Sequence, residues 1–310
     1  MKAAVYTQYG GPEVLSLTNL ESSKPKNNEL LIKVEATTVT SGDVRLRASD
    51  FPALFWLPAR LMFGLFKPKK KTLGHEFSGI VEAVGVDVNQ FKVGDQVFGT
   101  TTMLKHGAYA EYLCVPEKAK HCVLSKAPEG IELKTAAAVP IGAMTALFLL
   151  EKAKLKKTHK VLVYGASGSV GTYAVQLAKH KGAEVTGVCS TANIDLVSSL
   201  GASKVIDYMK EDYTLDGAVY DIFFDAVGKT PKSKAKSVLK KNGSYVSVNM
   251  ITSENEEKLL EIVQMVENGV LKPVIDREYS LDQIVEAHRY VDSGRKRGNV
   301  IIDISTQQKQ

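Results

Sequence analysis

The stretch VLVYGASGSVGTYAVQLAKHKGAEVTGV, residues 161–188, decides how the rest of the chain is read. It opens as an apolar run of strand length that ends at Tyr164. Gly165, Gly168 and Gly171 follow at intervals of three, and Val170, Ala174, Val175 and Leu177 recur with the period of a helix expected over 170–180. Backbone N–H groups at a helix N-terminus can approach a phosphate only where no side chain intervenes, and the aligned peptide dipoles there favour negative charge. A second strand, EVTGVCS, begins about twenty residues further on. The stretch therefore reads as the strand–turn–helix that holds the pyrophosphate of a dinucleotide, in preference to a tight structural turn. Ala166, Ser167, Ser169 and Val170 complete the expected loop.

Which dinucleotide depends on the end of that second strand, where a carboxylate would take the ribose 2′-hydroxyl of NADH and repel the 2′-phosphate of NADPH. The strand ends Cys189-Ser190-Thr191, with no carboxylate in sequence before Asp195. Two hydroxyls and no acid favour NADPH. No arginine stands there, so Ser190, Thr191 and Tyr208, or a lysine that the sequence does not locate, would hold the phosphate.

Outward from this stretch the chain has two grammars. From about residue 135, apolar runs (VLVYG, EVTGVCS, KVIDY, YDIFFDAVG, SYVSVN) alternate with helical segments expected at 170–180, 193–200, 232–240 and 254–267. That alternation is the signature of a doubly wound parallel sheet. The last helix is expected to start at a capping box, Ser253 to Glu256, and a second capping box, Ser280 to Gln283, precedes the closing strand NVIIDI. No helix follows that strand, so it is expected to join the other half of the fold. The N-terminal third reads as short strands separated by turn residues, a compact β domain. Within it SDFPALFWLPARLMFGLF (49–66) is interrupted by Pro52, Pro58 and Gly64, so no long regular helix is expected. It is either a packed loop or an apolar wall beside a binding site. The fold class is α/β.

Composition agrees. The 310 residues suffice for two domains, and 44% hydrophobic with 24% charged is ordinary globular usage. The longest apolar run, 141–150, is too short to span a membrane. The opening MKAAVYTQYGG lacks an apolar signal core, so export is not expected. Cys114, Cys122 and Cys189 show no C-x-x-C spacing and are odd in number, which fits a reducing, cytoplasmic setting. The charge of +6 includes two basic runs, 67–71 (KPKKK) and 152–160 (KAKLKKTHK). Neither is interleaved with aromatics, so both read as solvated and not as a nucleic-acid surface.

Several motifs then act together: MKAAVYTQYGGPEVL, GHEFSGIVEAVG, KVGDQVFG, GAYAEY, AAAVPIGAMTAL, GASGSVG, SLGASKVIDY and RGNVIIDI. In this order, over essentially the whole chain, they resemble the medium-chain dehydrogenase/reductase superfamily, in its zinc-independent quinone oxidoreductase (zeta-crystallin-like) branch. The resemblance implies a GroES-like catalytic domain over 1–122, completed by 272–310, and a Rossmann NADPH-binding domain over 123–271. It also implies a cleft where nicotinamide meets substrate, and it adds Thr145, Val227 and Asn299 to the cofactor shell. The implied reaction is NADPH-dependent reduction of a quinone, or of the activated double bond of an enone or enal, by direct hydride transfer.

The same resemblance, extended to the zinc alcohol dehydrogenases, puts the three catalytic zinc ligands at Thr40, at His75 and near Ile141. Only His75 is a ligand type, and the four-cysteine structural lobe is absent, so no metal is expected. His75 is then either a packed histidine or a polar group in the cleft. The branch's asparagine-proline-x-aspartate motif, with a tyrosine two positions on, matches only at Asp43. Thr40 stands for the asparagine and keeps a side chain able to reach a carbonyl oxygen or the nicotinamide ribose. Arg45 stands for the tyrosine, to polarise a carbonyl or, more simply, to form an ion pair. Thr40, Asp43, Arg45 and His75 are the catalytic candidates. About two dozen residues that usually follow the strand SYVSVN, and carry a dimer-forming strand, are missing, which implies a monomer or an atypical homodimer. The alternatives are a protein that binds NADPH as a sensor with little turnover and, less readily, a zinc-type alcohol dehydrogenase.

Overall fold

The structure, a computed structural model, describes residues 1–22, 24–120, 122–215 and 217–305, so the end of the polar tail lies outside the described residues. The chain divides into two units. The first comprises Met1–Pro140, Glu254–Leu260 and Ile275–Gln310, and the second Ile141–Ser253 and Glu261–Val274. The first unit thus runs on to Pro140, past the boundary expected at 122, because the short strand at Leu124–Lys126 belongs to its sheet.

The first unit opens with an antiparallel ribbon of β1 (Lys2–Tyr6) and β2 (Leu15–Asn19). Its main sheet is built on β3 (Glu29–Thr38), where Leu30, Ile32, Val34 and Ala36 are buried with the period of two that places every second side chain on one face. After β3 come α1 (Ser41–Ala48), α2 (Ala53–Phe63) and β4 (Glu76–Val84). They are followed by β5 (Gln96–Thr100), β6 (Tyr112–Pro116), β7 (Leu124–Lys126) and the short α3 (Leu133–Ala136). β3 pairs antiparallel with β4, β4 with β5 and β5 with β7, while β6 lies along the first half of β3.

The α2 helix departs from the expectation of broken chain. Pro58 sits inside it and withholds one backbone donor. The helix persists because its ends are tied: Gly64, at φ +125°, closes it with a bond to the Arg60 carbonyl, and Phe63 stacks on Phe51 at 5.9 Å.

The second unit begins in α4 (Pro140–Lys152) and continues through β8 (Lys160–Tyr164), α5 (Ser169–His180), β9 (Glu184–Cys189), α6 (Ile194–Ser199) and β10 (Lys204–Asp207). After these come β11 (Tyr220–Asp225), α7 (Lys232–Lys236), β12 (Leu239–Ser247) and α8 (Glu256–Glu267), whose first five residues belong to the first unit. The sheet is wholly parallel in the order β10-β9-β8-β11-β12, with the first strand at its centre. This is the strand order of dinucleotide-binding folds. The helix expected over 232–240 stops at Lys236, since Leu239 already pairs with Tyr220. The helix expected from 254 starts two residues later. Asn255, as strong a cap as serine, accepts from the Glu257 and Lys258 amides in place of Ser253.

The chain then returns to the first unit with β13 (Ile275–Ser280), α9 (Ile284–Asp292) and β14 (Asn299–Asp303). The capping box of Ser280 and Gln283 forms as expected. β14 pairs antiparallel with the second half of β3, Ile301 opposite Thr38 and Asp303 opposite Ala36. The closing strand therefore joins the β unit.

Candidate functional site

In the parallel-sheet unit, the end of β8 and the start of α5 form a cradle. Gly168 is the N-cap of α5 and no side chain caps the helix, so its first-turn N–H groups are left to a ligand. The three glycines have different reasons to be glycine. Gly165 has φ +80°, and a Cβ on it would stand 2.5 Å from Val227. On Gly171 a Cβ would meet the Gly165 carbonyl oxygen at 2.1 Å, so this residue lets the helix pack against the turn. Gly168 is at φ −79° and its Cβ would touch nothing closer than 3.5 Å. The protein itself does not require glycine there; an approaching anion does. The loop fits a pyrophosphate.

Neighbouring groups fix the rim. Asp225, fully buried at the end of β11, accepts from the amides of Val227, Gly228 and Thr230 and from the Tyr245 hydroxyl, which sets the loop carrying Val227. Thr145 is half-buried on α4, one turn beyond Gly142, where a Cβ would stand 2.7 Å from the Ser169 hydroxyl. Asn193, absent from the sequence expectation, donates to both Ser167 and Ser190 at 3.1 Å and so joins the glycine loop to the end of β9. Its buried Oδ1 has no partner.

The expectation of no carboxylate beside Ser190 and Thr191 is corrected. Asp207 stands opposite Cys189 in the β9–β10 register, and Thr191 donates its hydroxyl proton to that carboxylate at 2.5 Å. This bond, with the Met209 amide and the Lys210 charge, holds the Asp207 carboxyl below its usual value. The acid comes from the next strand, so scanning β9 alone misses it. Lys210 stands near this carboxylate, its Nζ 3.9 Å from Asp207. Tyr208, between them, is exposed, and its amide bonds to the Cys189 carbonyl.

The β unit holds a second cluster. Thr40 is the N-cap of α1 and forms a capping box with Asp43. Asp43 Oδ2 accepts from the Thr40 amide at 2.9 Å and the Thr40 hydroxyl at 2.5 Å, and Oδ1 accepts from the Gly74 amide at 2.8 Å and His75 Nδ1 at 2.7 Å. Burial alone would raise this carboxyl; the charge and hydrogen bond of His75, the Thr40 hydroxyl and the His288 ring outweigh it and hold it well below the usual range. Because an ionised carboxylate only accepts, His75 Nδ1 carries a proton and Nε2 is the nitrogen left for a ligand. Thr40 commits its hydroxyl proton to Asp43, so a substrate can meet only its oxygen.

Arg45, two residues from Asp43 and so on another side of α1, is half-buried. Arg47, one turn on from Asp43, is buried instead. It pairs with Asp292 at 2.7 Å and donates to His288 Nδ1 at 3.1 Å, and His288 Nε2 meets the Tyr109 hydroxyl at 3.0 Å. This chain clamps α1 to α9.

Two further groups in the β unit, Glu254 and Lys70, were missed in the sequence, while Asn299 was expected in the cofactor shell. Glu254, freed by the late start of α8, accepts from the Thr100 hydroxyl at the end of β5. Burial raises its carboxyl above the usual range, against the hydrogen bonds of Thr100 and Thr102 and the charges of His75 and Lys70. Lys70 donates to the Thr101 carbonyl at 3.0 Å, and burial pushes its ammonium down to about 8 against the pull of Asp43, Glu254 and Cys122. Asn299 is buried at the head of β14.

The residues do not fit a zinc ion. The Thr40 hydroxyl is spent on Asp43, Ile141 offers no donor atom, and among the described residues no group of three or more histidine, cysteine, aspartate or glutamate side chains could hold a metal.

Comparison with known proteins agrees with both halves of the fold. The Alcohol dehydrogenase GroES-like domain matches residues 26–128, and two Zinc-binding dehydrogenase models match 169–271 and 248–302. The chain is 33% identical to the 2-methylene-furan-3-one reductase of Solanum lycopersicum, over 97% of this chain and 79% of that protein. It is 30% identical, with the same coverage, to the NADPH-dependent alkenal/one oxidoreductase, chloroplastic, of Arabidopsis thaliana. The solved quinone oxidoreductase from Coxiella burnetii superposes with a TM-score of 0.88 at 29% identity, over 98% of this chain and 99% of that one. With the parallel sheet, the glycine cradle and the returning β14, these relationships establish that the chain belongs to the medium-chain dehydrogenase/reductase superfamily, in its quinone oxidoreductase branch.

Proposed function

We propose that this protein is an NADPH-dependent oxidoreductase that reduces quinones, or the activated double bonds of enones and enals, without zinc. The observation that carries the reading is the open position above Gly168, at the uncapped start of α5, in a parallel sheet of dinucleotide-binding order. Relatives named as quinone, furanone and alkenal/one reductases support the substrate class. The 2′-phosphate is assigned to Ser190, Tyr208 and Lys210, with Thr191 engaged by Asp207, and the pyrophosphate to the amides of 169–171 at the start of α5.

Bound NADPH supplies a hydride to the electrophilic carbon of the acceptor. The protein's own work is to hold the acceptor aligned and to manage the charge that appears on its oxygen, which then takes up a proton. His75, with its Nδ1–H held by Asp43, presents the Nε2 lone pair, which accepts a hydrogen bond from that oxygen once it carries its proton. Lys70, whose ammonium burial makes a stronger acid, and Glu254, whose carboxyl burial makes hold its proton more readily, are the groups of this unit suited to supply the proton directly or through water. The misfit of zinc at Thr40 and Ile141 supports metal-free chemistry.

The protein is assigned to the cytoplasm, where the thiols of Cys114, Cys122 and Cys189 stay reduced; burial pushes each up to about 11. Between β12 and α8 the described residues include no strand, which supports a monomer or an atypical homodimer. Size in solution tests this, and a tight dimer built on the β12 edge refutes it.

The decisive experiment follows NADPH and NADH oxidation side by side with 1,4-benzoquinone, 9,10-phenanthrenequinone and an alkenal, with metal analysis of the same protein. Turnover with NADPH and no bound metal is expected. Tight NADPH binding without turnover of any acceptor would mean a sensor, and one transition metal per chain would refute the zinc-free reading.

A further inference from the structure

The α2 helix is apolar on both faces. Its inner side buries Ala59 and stacks Phe63 on Phe51. Elsewhere around its circumference it exposes Phe55 (61%), Trp56 (42%), Leu57 (53%), Leu61 (58%) and Met62 (51%), and the turn beyond Gly64 exposes Leu65 (37%) and Phe66 (88%). The single charged residue of the helix, Arg60, lies over the rings of Tyr9 and Trp56 at 4.0 and 5.3 Å. Scattered exposed hydrophobics are ordinary, but seven large ones concentrated on one helix and its exit turn mark an interaction surface. Eleven residues make a helix about 16 Å long, roughly half the hydrocarbon core of a bilayer, so this element cannot cross a membrane but can lie in its surface.

Charge decides what covers the patch. Between Asp50 and Glu76 the chain has no carboxylate, and its cations are Arg60, Lys67, Lys69, Lys70 and Lys71. Lys67 and Lys71 are exposed, while Lys69 donates to the Leu61 and Met62 carbonyls and so fixes the basic segment to the end of the helix. A second copy of this chain would set cation against cation around a two-fold axis. An anionic lipid surface supplies both an apolar layer for the ring and leucine side chains and phosphates for the lysines. We infer that α2 and residues 65–71 form a peripheral docking site for an anionic lipid bilayer. The site would bring the protein to apolar acceptors dissolved in the membrane, a consequence that rests on the reductase reading.

The test is sedimentation of the full chain, without cofactor or acceptor, with vesicles of phosphatidylcholine alone or with about a third phosphatidylglycerol. Binding to the anionic vesicles is expected, weaker on the neutral ones and reduced by added salt. Lys67→Glu with Lys71→Glu weakens it by at least roughly fivefold per site, and Phe55→Ser, Leu61→Ser and Phe66→Ser together abolish it with an unchanged unfolding midpoint, because all three side chains are exposed. No sedimentation with anionic vesicles, or binding undiminished in both variants, overturns the inference. So does a concentration-dependent dimer dispersed by the serine substitutions, which would assign the patch to a second copy. Turnover of water-soluble 1,4-benzoquinone is measured separately, so failure of the reductase reading is distinguishable from failure of docking.

Discussion

His75 donates its Nδ1–H to the Asp43 carboxylate across 2.7 Å, and the same carboxylate caps the helix on which it sits through Thr40. One buried group thus sets the start of α1 and the orientation of the imidazole. Four donors converge on Asp43, so Asp43→Asn must turn an amide N–H₂ toward two of them. A loss of about 3 kcal/mol in urea unfolding is expected, with reduced turnover. A loss below about 1 kcal/mol would mean that the convergence carries little energy. Since the folded carboxyl titrates below its unfolded value, its contribution is present above about pH 4 and disappears as the pH falls further.

The glycines of the cradle separate folding from binding. Gly168→Val is expected to leave the unfolding midpoint in place and to weaken NADPH binding at least about tenfold, because the new side chain occupies only the ligand's space. Gly171→Ala should do the reverse at first order, destabilising by roughly 2 kcal/mol as its Cβ meets the Gly165 carbonyl. Undiminished NADPH affinity in Gly168→Val would show that the pyrophosphate lies elsewhere.

Beside Thr191, Asp207 and Lys210 oppose each other in selecting a 2′-phosphate. Lys210→Glu should raise the KM for NADPH about fivefold and leave that for NADH unchanged, as expected for one exposed charge. Asp207→Asn should shift the ratio the other way. Equal effects on both cofactors would remove Lys210 from the phosphate site.

His288 reports acid sensitivity. Burial, reinforced by the Arg47 charge and only partly offset by Asp43, pushes its imidazole down to about 3. The unfolded chain therefore binds a proton that the folded chain refuses, and stability falls as pH drops from about 6.5 toward 3. His288→Gln should flatten that limb in urea midpoints measured from neutral pH downward. An unchanged slope would assign the acid loss to other groups.

How much of this was legible depends on range. The parallel sheet and its cradle were readable because glycine spacing and apolar runs are local, and β14 was readable because no helix follows it. Asp207 was hidden, since only the register that sets it opposite Cys189 brings it to Thr191. Glu254 was hidden by a competing local signal: Ser253 and Asn255 are both good caps, and only the choice of Asn255 releases the glutamate toward Thr100. Arg45 stood at the position a family motif drew attention to, yet the helical period gives the buried face to Arg47. In α2 Pro58 was read as a breaker, yet the helix runs through it, with the Phe51–Phe63 stack joining its ends.

Strand β14 carries a consequence for synthesis. Residues 301–303 complete one edge of a strand that begins at Glu29, so on the ribosome the early part of the chain waits with that edge unsatisfied while everything between is made. The parallel sheet, contiguous in sequence, can mature first, whereas the β unit closes only once residues 299–303 have been made. A nascent chain stalled before Asn299 should accordingly be the species most dependent on chaperones.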